Sequence, residues 1–247
     1  MQVTYSAVNG GFDIPLKVYS PDSGSVKGKV LAVHGFGGSK ESAAINMLAG
    51  KLTGFGLEIT AFDLPCHGKS GYDGELTLKV CRESFRRVLD HVKRRSPAGE
   101  PKAVFATSFG GYLALLELAE LSEDVRIVLR APAVDMKSTF RNVIYPMTAE
   151  QFRERGAELG FDKKFRVAGS CLSELEQNDI SERDMHRDML ILYGSGDSLV
   201  LPEHIERFVR ANPAAALFTV EGADHRFSDK DCLERAVNEA VKWIIKQ

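Results

Sequence analysis

Short apolar, β-branched runs recur along the chain and alternate with stretches whose apolar residues fall at helical spacing. VTYSAV and FDIPLKVYS meet around Asn9-Gly10-Gly11, which predicts an antiparallel hairpin over residues 1–20, because a Gly-rich break suits a tight reversal. KVLAVHG, a helix over about 41–53 and LEITAFD follow as one β-α-β unit. Leu78, Cys81, Phe85, Val88, Leu89 and Val92 share one face of a helix over about 77–95, which Ser96-Pro97-Ala98-Gly99 ends. AVFAT then reads as strand, GYLALLELAEL as helix and VRIVLRA as strand. The alternation resumes with MLILYG, a helix near 202–211, ALFTVEG and a last amphipathic helix over about 229–246.

Short strands alternating with helices predict an α/β fold, a mostly parallel central sheet flanked by helices on both faces. Residues 132–187 break the rhythm. They are charged and read as a mainly helical insertion, and a connection of that length usually has a task, such as a cap or lid over a site. Residues 1–131 and 188–247 are left as the core. Phe12, Phe55, Phe62 and Phe105 occur within strand or helix patterns and are expected inside.

The 247 residues suit one large α/β domain of ~250 residues. With 32 basic and 34 acidic residues the formal net charge is -2, so no charge excess points to nucleic acid or an anionic membrane as partner. No apolar run approaches the ~20 residues of a membrane span, and the first residues lack the charged-then-apolar pattern of a signal peptide. A cytoplasmic protein is expected, with a homodimer left open. Cys66, Cys81, Cys171 and Cys232 form no CxxC pair, so free thiols are expected rather than a metal or redox site.

Chemistry concentrates where predicted strands end. In Phe105-Ala106-Thr107-Ser108-Phe109-Gly110-Gly111 a serine stands on a tight turn between strand and helix, a placement that lifts its hydroxyl above the sheet. The simpler reading is a helix-capping serine. His34-Gly35-Phe36-Gly37-Gly38 ends an earlier strand; its glycines either serve an ordinary turn or let the Phe36 N–H join that of Phe109 as an oxyanion hole. Asp197 follows MLILYG in Gly194-Ser195-Gly196-Asp197, and His225 follows ALFTVEG in Gly222-Ala223-Asp224-His225. Sites in open α/β sheets form at the carboxyl ends of strands, where all four features fall.

A serine hydroxyl needs a base to take its proton, and the base needs an acid to fix its tautomer. Ser108, Asp197 and His225, in that chain order, meet this requirement. His34 and His67 belong to loops and His91, His186 and His204 to helical or exposed stretches. Asp224 competes as the acid but adjoins His225, and adjacent loop side chains rarely face each other. Nothing in this chemistry calls for a metal or organic cofactor.

Taken in order, H-G-F-G-G, D-L-P-C-H-G-K-S, the serine elbow, G-S-G-D and G-A-D-H resemble the α/β-hydrolase superfamily over nearly the whole chain, with Ala106 where the G-x-S-x-G elbow has its first glycine. Ala131-Pro132-Ala133, and His225 followed by Phe227-Ser228-Asp229, are similar to the small cytoplasmic cinnamoyl or feruloyl esterases. That resemblance implies a carboxylic ester hydrolase acting through an acyl-enzyme on small to medium acyl or hydroxycinnamoyl esters, with Asp135 and Tyr145 as substrate-binding residues. The alternatives are a serine peptidase or amidase, a lipid ester hydrolase of the same fold, and a ligand sensor without turnover.

Overall fold

In a computed structural model, which describes residues 1–161 and 163–246, the eight apolar runs become strands and two further strands form within residues 132–187. They are β1 (Gln2–Val8), β2 (Ile14–Ser20), β3 (Gly28–Val33), β4 (Leu57–Phe62), β5 (Ala103–Thr107), β6 (Arg126–Arg130), β7 (Ala157–Gly160), β8 (Lys164–Val167), β9 (Met189–Gly194) and β10 (Ala215–Val220). The helices are α1 (Ala43–Leu52), α2 (Leu78–Lys93), α3 (Phe109–Leu116), α4 (Met136–Ile144), α5 (Ala149–Arg155), α6 (Ser170–Gln177), α7 (Pro202–Ala211) and α8 (Lys230–Ile245). Among the described residues, none of these is long and apolar enough to cross a membrane.

One sheet runs in the order β1-β2-β4-β3-β5-β6-β9-β10. β2 is antiparallel to β1 and to β4, and the other neighbours are parallel. Every residue of β3, β5 and β9 is buried, as strands covered on both faces require. Their side chains alternate between two cores. Val30 and Ala32 pack with α1 and α8, while Leu31 and Val33 pack with α2, α3 and the segment after β6. Phe62 and Phe105 are buried as expected, but Phe55 is exposed, because it falls in the short turn of helix after α1 that breaks the apolar spacing.

Residues 132–187 depart from the mainly helical expectation. α4, α5 and α6 are there, but between α5 and α6 the chain forms the antiparallel hairpin β7–β8. The signal was present as period-two alternation: Phe165 and Val167 point inward while Lys164 and Arg166 are exposed. The segment has no core of its own. Phe140, Phe152, Phe165, Val167 and Leu172 join the cluster that holds Leu31, Val33 and Phe62. Leu76 N–H donates to the Arg166 carbonyl at 2.8 Å and Ala168 N–H to the Leu76 carbonyl at 3.0 Å, which ties the hairpin to the main fold. Phe161, at the hairpin's tip, lies against Gly37 and the Phe36 ring.

Because β3 to β6, β9 and β10 run parallel, their following loops gather on one edge of the sheet. Two of these loops are fastened together by Asp63, which is fully buried. Its carboxylate accepts from Lys40 N–H at 2.8 Å, Lys40 Nζ at 2.6 Å and Lys69 N–H at 2.9 Å. Gly68 must be glycine here: its φ is +49°, and a Cβ would collide with that carboxylate. His34 Nδ1–H donates to the Gly35 carbonyl at 2.7 Å while Nε2 accepts from Leu64 N–H at 3.1 Å. His67 donates through Nδ1 to the Pro65 carbonyl at 2.8 Å and packs its ring on His34, Phe36 and Phe165.

Removing one partner of a buried pair strands the other's charge, so Asp63→Asn is expected to cost ~3–5 kcal/mol of stability in urea unfolding; a loss under ~1 kcal/mol would show that Lys40 is not held there by charge. Burial holds His34 and His67 neutral, pulling His67 down to about 3. The unfolded chain binds protons at these imidazoles below pH ~6.5 and the folded chain refuses them, so stability falls as pH drops from there toward 3. His67→Gln should remove ~1.4 kcal/mol per pH unit from the slope of unfolding free energy between pH 4 and 6. Parallel slopes for the two proteins would contradict the buried neutral imidazole.

Candidate active site

The turn from β5 into α3 leaves no room for ordinary backbone. Ser108 has φ 49° and ψ -116°, outside the regions that side chains favour. Two glycines permit this close approach. A Cβ at Gly110 would collide with the His34 carbonyl oxygen and Val33, and one at Gly35 would lie 3.0 Å from Ser108 Cβ. Ser108 N–H donates to the Arg130 carbonyl at 2.9 Å, while its own carbonyl accepts from Tyr112 N–H at 3.1 Å and Ala133 N–H at 3.2 Å. The serine is thus no capping residue: its side chain makes no bond to the helix it precedes.

Ser108 Oγ instead lies 3.0 Å from His225 Nε2, and His225 Nδ1 lies 2.7 Å from Asp197 Oδ2. The carboxylate can only accept, so Nδ1 carries the proton and Nε2 takes the hydroxyl hydrogen. Asp197 is fixed in turn by Leu199 N–H and Val200 N–H, both 2.9 Å from Oδ1. Asp224 is occupied elsewhere. It accepts from Ser228 N–H at 2.8 Å and Ser228 Oγ at 2.7 Å, and the Ser228 hydroxyl holds its carboxyl below the usual carboxylate range. The series of hydroxyl, imidazole and buried carboxylate is the arrangement that lets a serine lose its proton as it attacks a carbonyl.

The other sequence-predicted residues divide. Gly38 N–H returns to the Gly35 carbonyl at 3.0 Å, so Phe36 and Gly37 are the central pair of a tight turn, and Gly37's φ of +74° is what such a turn demands of its third residue. Phe36 and Phe109 meet edge to face at 5.6 Å. Phe109 is the first residue of α3, where backbone N–H groups lack helical partners. Asp135 and Tyr145 do not reach this cavity. Asp135 is buried as the N-cap of α4, accepting from Ser138 N–H at 3.2 Å and facing Arg207 at 3.5 Å and His204 Nε2 at 3.8 Å. Tyr145 follows α4 and is 80 % exposed.

Ser108 and His225 open into a cavity of about 710 Å³. Phe161 closes one side, contributed by the hairpin that sequence reasoning read as helix. Sequence reasoning also passed over Arg130, although an arginine ending an apolar strand was a visible anomaly. It is 6 % exposed, its Nη1 donates to the Arg226 carbonyl at 3.0 Å and reaches the His225 carbonyl at 3.4 Å, and its guanidinium lies 5.1 Å from the Phe227 ring centroid. Burial draws it down to about 10, which leaves it charged at neutral pH. One buried cation thus holds the backbone of the histidine loop. Among the described residues no group of three histidines, cysteines or carboxylates is placed to hold a metal ion.

Residues 24–177, more than half of the chain, match the family described as serine aminopeptidase, S33. No curated protein matches the chain. Among solved structures, Est1E from Butyrivibrio proteoclasticus, with ferulic acid bound, is similar at a TM-score of 0.80 and 18% identity, over 98% of this chain and 100% of that one. Mouse α/β hydrolase domain-containing protein 10 is similar at 0.78 and 17%, over 98% of both chains. The esterase domain of a Rhodothermus marinus protein is similar at 0.75 and 20%, again over 98% of both. At such identities these likenesses speak for the fold, and the family match carries the assignment: the chain belongs to the serine aminopeptidase S33 family of α/β-hydrolase serine hydrolases.

Proposed function

We propose that the protein is a carboxylic ester hydrolase working through an acyl-enzyme, with Ser108 as nucleophile, His225 as general base and Asp197 as the acid that orients the histidine. The observation that carries this reading is the hydrogen-bonded series from Ser108 through His225 to Asp197 at the mouth of the 710 Å³ cavity. Ser108 Oγ attacks the carbonyl carbon as its proton passes to His225 Nε2. The carbonyl electrons collect on oxygen, which the N–H groups of Phe36 and Phe109 receive. When they return, the bond to the alcohol oxygen breaks and His225 hands it the proton. Water repeats the sequence against the acyl-serine, restoring Ser108 and releasing the acid.

Residues 132–187 serve in this reading as a cap on the acyl or alcohol group, with Phe161 as the contact nearest the Phe36 loop. A second reading, cleavage of amides or short peptides, is favoured by the family description and uses the same acyl-transfer machinery. A carboxylic ester is preferred because esterases of the same architecture span the whole chain. The hydroxycinnamoyl preference that the sequence resemblance implied loses its support in Asp135 and Tyr145, which lie away from the cavity.

A fluorophosphonate should label Ser108 and should fail to do so in His225→Ala, as read by peptide mass spectrometry. Ser108→Ala should lower kcat for p-nitrophenyl butyrate by ~10⁴-fold or more with the fold unchanged. Undiminished ester turnover by that variant overturns the proposal. Faster cleavage of aminoacyl p-nitroanilides than of p-nitrophenyl esters would move the assignment to the second reading.

A further inference from the structure

The cavity at Ser108 is lined by three cationic side chains, Arg130, Arg226 and Lys230, against one acidic side chain, Glu41. Glu41 is already engaged, its carboxylate lying 2.5 Å from Lys17 Nζ and 3.8 Å from Lys40 Nζ. Among the described residues none of the three cations has a carboxylate within the 4.0 Å of an ion pair. The acids that act on Arg130 from further off are Asp197 and Asp224. Asp197 is spent on His225 and two backbone amides, Asp224 on Ser228. Arg130 is the telling member. It is 6 % exposed, its Nε is buried with no acceptor, and its Nη2 has none among the described residues. A guanidinium so placed normally has a bidentate partner.

Backbone dipoles add to the same sign. Ser42, Ala43 and Ala44, the start of α1, line the cavity, and Ser42 makes no side-chain cap bond, so the first amides of that helix are open to it. α3 begins at Phe109 beside Ser108, whose side chain makes no cap bond. Two helix starts and three cations without an ion-pair partner among the described residues thus face a space whose one described lining carboxylate, Glu41, is engaged by lysines.

We infer that the site is built for esters carrying an anionic group, a carboxylate in the simplest case, within reach of the scissile bond. Arg226 and Lys230 receive that group at the cavity wall, and Arg130 supplies charge from beneath. This rests on the esterase reading, from which it is separable. The chemical class is the half-ester of a dicarboxylic acid, or the ester of a hydroxy acid, and the choice between them depends on which half of the substrate enters the cavity.

The test compares matched substrates at low ionic strength by pH-stat titration. Monomethyl and dimethyl glutarate place the charge, or its absence, on the acyl half, and acetoxyacetate and acetoxyacetamide do so on the alcohol half. In one pair at least, kcat/KM for the charged member should exceed that for the neutral member by about tenfold, and the ratio should shrink as salt rises. The Arg226→Gln/Lys230→Gln double variant, changed at two surface-loop and helix-start positions, should bring that ratio close to one. If Ser108-dependent hydrolysis proceeds with the neutral esters equal to or ahead of the charged ones in both pairs, the inference fails and the esterase assignment stands. If the double variant keeps the full preference, the charge is read elsewhere and the assignment to these residues fails. If folded protein hydrolyses none of the four esters nor p-nitrophenyl butyrate, the esterase reading fails and the inference with it.

Discussion

The site depends on a close backbone approach between the ends of β3 and β5. These neighbours in the sheet deliver His34-Gly35-Phe36 and Thr107-Ser108-Phe109 to the same point. Gly110 gives way to the His34 carbonyl and Gly35 gives way to Ser108. With both side chains absent, Ser108 is held at φ 49°, a conformation that costs ~1–3 kcal/mol in a residue with a Cβ and persists only where surroundings insist on it. Here three backbone hydrogen bonds insist: Ser108 to Arg130, and Tyr112 and Ala133 to Ser108. The exposed hydroxyl follows from backbone packing, before any catalytic partner is considered.

The partners are held to this point by buried charge. Asp63 and Lys40 secure the loop after β3 to the loop after β4, so the Phe36 turn cannot drift from the serine. Arg130 does the corresponding service for the histidine loop by donating to its carbonyls, and because its own carbonyl takes the Ser108 N–H, one residue links Ser108 to the loop of His225. Buried ions contribute little to net stability once desolvation is counted, but their hydrogen bonds are directional. Apolar packing would fill these spaces equally well without fixing where a loop's carbonyls point.

Much of this was legible because it obeys local rules. Strand and helix periods predicted the sheet, and residues that end parallel strands had to gather on one edge, so Ser108, Asp197 and His225 could be assembled without coordinates. Asp197 was preferred over Asp224 for a reason visible in the sequence, that adjacent loop side chains rarely face each other, and Asp224 bonds Ser228 instead. What escaped was set by long-range packing. The alternation over 164–167 spans only four residues, too few to outweigh the helical patterns around it, and the hairpin's anchor at Leu76 lies some ninety residues away from its pairing partner. Asp135 followed its local role, capping α4, and is not among the residues that line the Ser108 cavity. Phe55 was expected inside from its apolar character, but it sits in the short turn that follows α1 and faces solvent.

The cationic lining has a consequence for the chemistry proposed. During acyl transfer the histidine must become positively charged, and it would do so amid Arg130, Arg226 and Lys230 with only Asp197 directly opposed to it. In the proposed mechanism the same field that would stabilise an oxyanion at the start of α3 would work against the imidazolium formed in the same step. With a neutral ester the two effects offset each other. A substrate that brings its own negative charge screens the histidine from the three cations while leaving the oxyanion's backbone donors untouched, since these act at contact distance and point elsewhere. Binding energy is then gained more in the transition state than in the ground state, which is the condition for a charged group remote from the reacting carbonyl to raise the rate rather than merely tighten the complex.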